Sequence, residues 1–188
     1  MEQSSLVKLQ EDYDVDIQWH GFELHPETPV GGIAVTSLFR GRSMEKIRSR
    51  MQSFANEFGV TMLVPDHMAN TRRALAMSEF ARDQGKLAAF RDVATQAYWV
   101  EGMNLEKRGD LEQIAEAAGL DAAQAIEASA APEYLARVLA IRDEGIEKMV
   151  TGVPTLFFGG MPVVGCQRYE TFDKVAKRAG LEPRSKTT

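Results

Sequence analysis

The stretch G-V-P-T, formed by Gly152, Val153, Pro154 and Thr155, leads into the apolar run L-F-F, and a second run, M-P-V-V, follows after two glycines. Proline cannot donate to a strand ladder, so it belongs at a strand's first residue, an edge or a bulge. A Gly-Val-Pro-Thr step into a strand therefore predicts a specially shaped turn against which another group can rest. Cys166 stands just before the last helical tract, in G-C-Q-R-Y. Cysteines near helix N-termini can have a lowered pKa, which makes a reactive monothiol the functional reading. A small half-buried residue is the plainer one. His20, His25 and His67 show no metal-ligand spacing and have no cysteine beside them, so no metal site is expected. Glu101 to Asn104, E-G-M-N, reads either as pocket lining or as a helix end with a glycine stop. No serine–histidine–acid arrangement, phosphate loop or spaced carboxylate pair stands out, so no catalytic residue is assigned.

The elements that must hold these residues follow from apolar spacing. Leu6, Leu9 and Tyr13 make a short helix face, and V-D-I-Q-W then alternates, with Val15, Ile17 and Trp19 on one side of a half-buried strand. F-E-L-H-P-E-T-P-V-G-G reads as a loop. From about Met44 to Met149 the pattern is helical. Ile47, Met51, Phe54 and Phe58 form a stripe stopped by Gly59, and Asn70 opens a helix stopped by Gly85. Asp110 and Gln113 have the spacing of a capping box, Asp121 starts a further helix, and Pro132 suits a first turn. Gly159 and Gly160 join the two final strands as a hairpin turn with positive φ at both centres. A last helix carries Tyr169, Phe172, Val175 and Ala176 and stops at Gly180.

A chain of 188 residues is one large domain, or one domain with an inserted subdomain. Its 44% apolar and 26% charged content suffices for a core and bears no mark of disorder or fibre. A net charge of −5 without an arginine-rich stripe argues against nucleic acid as a partner. R-R at Arg72 and Arg73, and K-R at Lys107 and Arg108, read as solvated helix faces. No apolar run approaches a membrane span, and M-E-Q-S-S-L-V-K-L-Q lacks the apolar core of a secretory signal. The single cysteine excludes an intramolecular disulfide and fits a reducing compartment. A soluble, cytoplasmic protein is expected.

The order helix, strand, several helices, hairpin, helix, with G-V-P-T opening the hairpin, resembles the DsbA-like family. The closest branch is the FrnE-like cytoplasmic group, with kappa-class glutathione transferases and 2-hydroxychromene-2-carboxylate isomerases as cousins. The resemblance runs nearly end to end. It rests on V-D-I-Q-W-H-G-F-E-L-H-P-E-T-P, N-T-R-R-A-L, A-Y-W-V-E-G, A-A-G-L-D and, most specifically, V-T-G-V-P-T-L-F-F-G-G-M-P-V-V-G-C-Q. It implies an α/β fold: a thioredoxin-like domain over residues 1–35 and 150–188, and a helical insertion over 36–149. It also implies a cis Val153–Pro154 bond in a loop, Gly152 to Thr155, that receives an extended substrate backbone.

The same resemblance exposes a gap. The family's C-x-x-C, or the serine of its glutathione-using cousins, lies at the start of the first helix, after a first strand. This chain opens at Met1 inside what would be that helix and holds one cysteine, so it cannot cycle a dithiol and a disulfide by itself. That first strand would also lie mid-sheet, and each buried backbone group left unpaired costs about 1–3 kcal/mol against a total stability of about 5–15 kcal/mol. A start at an internal methionine, a strand from a second chain, and a repacked degenerate member are all open. Exposed sheet edges favour pairing between chains, so a homodimer is expected. The complete form would be a thiol–disulfide oxidoreductase acting on a disulfide-bearing protein or small molecule, with no cofactor. The alternatives are a non-redox peptide- or small-molecule-binding module, and a glutathione-dependent transferase or isomerase whose key residue lies upstream of Met1.

Overall fold

The structure, a computed structural model, describes residues 3–39, 41–60 and 62–184. Residues 1–2 and 185–188, at the ends of the expected thioredoxin-like portion, lie outside them. In chain order the elements are α1 (Gln3–Asp12), β1 (Ile33–Ala34), α2 (Val35–Leu38), α3 (Met44–Asn56), β2 (His67–Met68), α4 (Arg72–Asp83) and α5 (Leu87–Trp99). Then come α6 (Arg108–Ala117), α7 (Ala122–Ala128), α8 (Pro132–Glu147), β3 (Thr155–Phe158), β4 (Met161–Val164) and α9 (Tyr169–Arg178). The chain divides into two compact units, Met1–His20 with Met149–Thr188, and Gly21–Lys148. Residues 21–35 fall in the second unit, where Glu23 pairs with Arg72 and Gly21 lies so close to Leu75 that a Cβ would meet it at 2.6 Å.

In the first unit, β3 and β4 form the antiparallel hairpin, with Phe158 opposite Met161 across Gly159 and Gly160. Both glycines have positive φ, +53° and +91°, as a two-residue turn of this hand requires. Opposed residues share a face, so Leu156 and Val163 point one way, and Thr155, Phe157, Pro162 and Val164 the other. The first face enters a core with Leu6 and Leu9 of α1 and Phe172 and Ala176 of α9, where Phe158 stacks on Phe172 at 6.0 Å between ring centres. Helices α1 and α9 are joined by two crossed pairs. The Tyr13 hydroxyl donates to Asp173 at 2.7 Å, and the Tyr169 hydroxyl donates to Asp12.

Residues 15–19 differ from the expected strand. Their side chains do alternate: Tyr13, Val15, Ile17 and Trp19 turn into the same core, while Asp14, Asp16, Gln18 and His20 are exposed. Their backbone joins no ladder among the described residues. Period two in side chains is set by which face is apolar, whereas a ladder needs a neighbouring strand. The C-terminal residues hold the start of this segment, with the Asp14 N–H donating to Glu182 O at 3.2 Å.

In the second unit α4 is central and packs on α5, α7 and α8. Met77, Phe90, Leu111, Ile114 and Ala125 fill its core. The Asp121 side chain caps α7 by accepting from Gln124 N at 2.9 Å, and Pro132 occupies the first turn of α8. Two start signals work differently from their spacing. Asp110 lies inside α6, whose cap is Lys107, and its carboxylate accepts from Asn104 N at 2.7 Å. The cap position of α4 is Thr71, while Asn70 Oδ1 accepts from Arg72 N at 3.0 Å. The arginine pair is also not a plainly solvated face. Arg72 forks onto buried Glu23 with two bonds of 2.9 Å, and Arg73 donates to the fully buried Ser129 hydroxyl at 3.1 and 2.9 Å.

Candidate functional site

The G-V-P-T loop is built by the hairpin register. With Thr155 opposite Val164, the chain just before β3 runs beside the chain just after β4. The Gly165 N–H accordingly donates to Pro154 O at 2.8 Å. On the other side of the proline, the Thr155 hydroxyl donates to Gly152 O at 2.7 Å. The peptide bond between Val153 and Pro154 is cis. At Gly152 neither space nor backbone demands glycine: φ is not positive, and an added Cβ would meet Val164 at an ordinary 3.8 Å.

Between those tethers lies Val153. Its side chain is half exposed, and neither its N–H nor its carbonyl has a hydrogen-bond partner among the described residues. The apolar residues around it continue onto the outer hairpin face, where Phe157 is 39% and Val164 52% exposed. The loop thus combines a backbone donor and acceptor that no described residue engages with an exposed apolar surface. That combination suits an extended polypeptide, which offers both backbone groups and alternate side chains. Its one polar side chain, the Thr155 hydroxyl, is engaged with the Gly152 carbonyl.

Cys166 follows Gly165 directly, is half-buried and stands in no disulfide. It lies ahead of the Arg168 cap of α9 rather than in the helix's first turn. The histidines are dispersed: His25 pairs with Glu27 at 3.0 Å, the His67 ring contacts Gly31 O at 2.6 Å, and His20 is exposed. Among the described residues no cluster of His, Cys, Asp or Glu has the makings of a metal site. Glu101 to Asn104 follows the helix-end reading, since Gly102 has φ +71° and Met103 N donates back to Ala97 O at 2.9 Å. The unit's shifted titrations lie instead between α1 and α9. There Lys177, and then the Tyr13 hydroxyl, hold the Asp173 carboxyl below its ordinary range. The bonds to Asp173 and Asp12 raise Tyr13 and Tyr169 above theirs.

Sequence reasoning found the loop but missed its backing at Gly165. The signal was available: a two-glycine turn fixes the register, and the register puts residue 165 across from Pro154.

The family model described as DSBA-like thioredoxin domain matches residues 2–177. The chain belongs to that family. Its fold is accordingly a DsbA-like thioredoxin fold carrying a helical insertion. Among solved structures it is similar to a probable DsbA oxidoreductase from Streptomyces coelicolor, with 24% identity over 90% of this chain and 77% of that one and a TM-score of 0.77. It is also similar to a 2-hydroxychromene-2-carboxylate isomerase, with 22% identity over 92% of this chain and 85% of that one and a TM-score of 0.72. At these identities the likeness to the two structures is one of fold. No curated protein sequence matches the chain. No helix among the described residues is long and apolar enough to cross a membrane.

Proposed function

We propose that the chain is the substrate-binding part of a thiol–disulfide oxidoreductase of the FrnE-like branch, in which Gly152, Val153, Pro154 and Thr155 receive an extended segment of a disulfide-bearing protein. The observation that carries this reading is Val153, whose backbone donor and acceptor both lack a partner among the described residues, beside exposed apolar side chains. In the reaction, a thiolate attacks one sulfur of the substrate disulfide and expels the other as a thiolate, leaving a mixed disulfide. A second thiol then attacks that mixed disulfide, which frees the substrate's remaining thiol and leaves a new disulfide behind. Cys166 alone cannot supply both thiols. The chain's own contribution is to bind and orient.

Two measurements on the 188-residue chain test this. Labelled, S-carboxymethylated insulin B chain, an extended polypeptide with blocked thiols, binds it in fluorescence anisotropy. Insulin reduction by dithiothreitol, followed by turbidity, proceeds no faster with the chain than without it. Absence of B-chain binding would overturn the reading. Accelerated insulin reduction would show that Cys166 is redox-active after all.

The second reading, a glutathione-dependent transferase or isomerase, rests on the likeness to the isomerase. Calorimetric binding of glutathione in preference to the B chain would favour it. We further propose a homodimer, because the backbone groups of residues 16–18 have no partners among the described residues, an arrangement that invites a second strand. Light scattering that gives the monomer mass at every concentration would contradict this. A cytoplasmic setting is proposed on the single cysteine.

A further inference from the structure

We propose that Thr155 is a positioning residue for the substrate loop, acting through one peptide plane; this rests on the polypeptide-binding reading above. The Gly152 carbonyl and the Val153 N–H belong to the same peptide group. In a trans peptide they point in opposite directions from a rigid plane, so fixing one aims the other. The Gly152–Val153 bond is trans, and its carbonyl is held by the Thr155 hydroxyl at 2.7 Å. The Val153 N–H is thereby turned away from the loop's own interior, where it finds no partner among the described residues. On the far side of the proline the Pro154 carbonyl is held in the same manner by the Gly165 N–H at 2.8 Å.

The loop is therefore tethered at both flanks, and Val153 lies between the tethers with both of its backbone groups without a partner among the described residues. Pro154 has no N–H to offer. The backbone tether at Gly165 survives any side-chain change, whereas the tether at Gly152 depends on one hydroxyl. Thr155 thus decides whether the Val153 donor is aimed before a substrate arrives. A loop without that hydroxyl has to order the Gly152–Val153 plane at the moment of binding, and preorganisation is lost.

The experiment compares the full chain with Thr155→Val, which keeps the side-chain shape and the β preference, and Thr155→Ser, which keeps the hydroxyl. Thr155→Ala serves in place of valine if valine is not accommodated. The probe is S-carboxymethylated insulin B chain, with affinity read by anisotropy below each variant's thermal midpoint. Exchange of the Val153 amide is read with and without the probe. We expect Thr155→Val to bind about fivefold to tenfold more weakly, the scale of one net hydrogen bond, and to lose the probe-dependent protection of the Val153 amide. Thr155→Ser should stay within about twofold of the parent and keep that protection. Equal affinity and protection in the valine variant would overturn the role of Thr155 and leave the binding reading standing. Failure of the serine variant alongside valine would also overturn it, because the hydroxyl would not be the cause. Failure of the parent chain to bind the probe would instead bring down the binding reading, and this inference with it.

Discussion

Glu23 is only 2% exposed, and the forked Arg72 guanidinium meets its carboxyl group with two hydrogen bonds. Removing one partner of a fully buried pair costs about 3–5 kcal/mol. The Arg72 side chain is 39% exposed and can turn to water when its partner is lost, so the cost here is lower. Glu23→Ala is expected to lower unfolding stability by about 2 kcal/mol, read as a shifted urea midpoint at constant slope. A shift too small to measure would mean that the pair contributes nothing net. This contact was not legible in the sequence. R-R reads as two solvent-facing charges, and nothing local tells that an acid 49 residues earlier folds back onto one of them. The G-V-P-T loop was legible, because proline at a strand start is a local constraint that tertiary packing does not override.

Among the elements, the hairpin was the most readable, since two adjacent glycines flanked by apolar runs specify both turn and register. Gly160 has φ +91°, a conformation that costs an L-residue about 1–2 kcal/mol. Gly160→Ala should therefore lower stability by about 1 kcal/mol, whereas Gly152→Ala, where φ and space are permissive, should change it little. Thermal melts of the two variants side by side check this, and an equal loss in both would contradict it. Residues 15–19 show the limit of such reading. Alternation predicted the buried face correctly, but a ladder is a property of two strands, and one strand's sequence does not reveal whether its neighbour is present. The α1–α9 crossing carries a pH prediction. The Asp173 carboxyl is held low by Lys177 and Tyr13, so the stability it contributes is present above the ordinary carboxylate pKa. That contribution is lost as pH falls through the depressed value, below about pH 4. Tyr13 and Tyr169 are raised, so their contribution is present below about pH 10 and lost as pH rises through the raised values. Asp173→Asn should flatten the acid limb of a melting-temperature profile. An unchanged acid limb would assign it to other carboxylates.

At the scale of the molecule, the two units divide the chemistry unequally. The unit Met1–His20 with Met149–Thr188 holds the hairpin, the G-V-P-T loop and Cys166, while Gly21–Lys148 holds the larger helical core. Family membership was legible end to end because the motifs that carry it are spread over the whole sequence. The substrate is not written there, since the loop proposed to receive it would offer backbone groups that every polypeptide can meet. The central claim is that this loop, and not the helical unit, is where polypeptide binds. The most direct test is photo-cross-linking of the 188-residue chain with S-carboxymethylated insulin B chain bearing a benzophenone, followed by mapping of the attachment site by mass spectrometry. Attachment within residues 150–166, around Val153, Phe157 and Val164, is the predicted result. Attachment confined to residues 21–148, or none that an excess of unlabelled B chain competes away, would contradict the account.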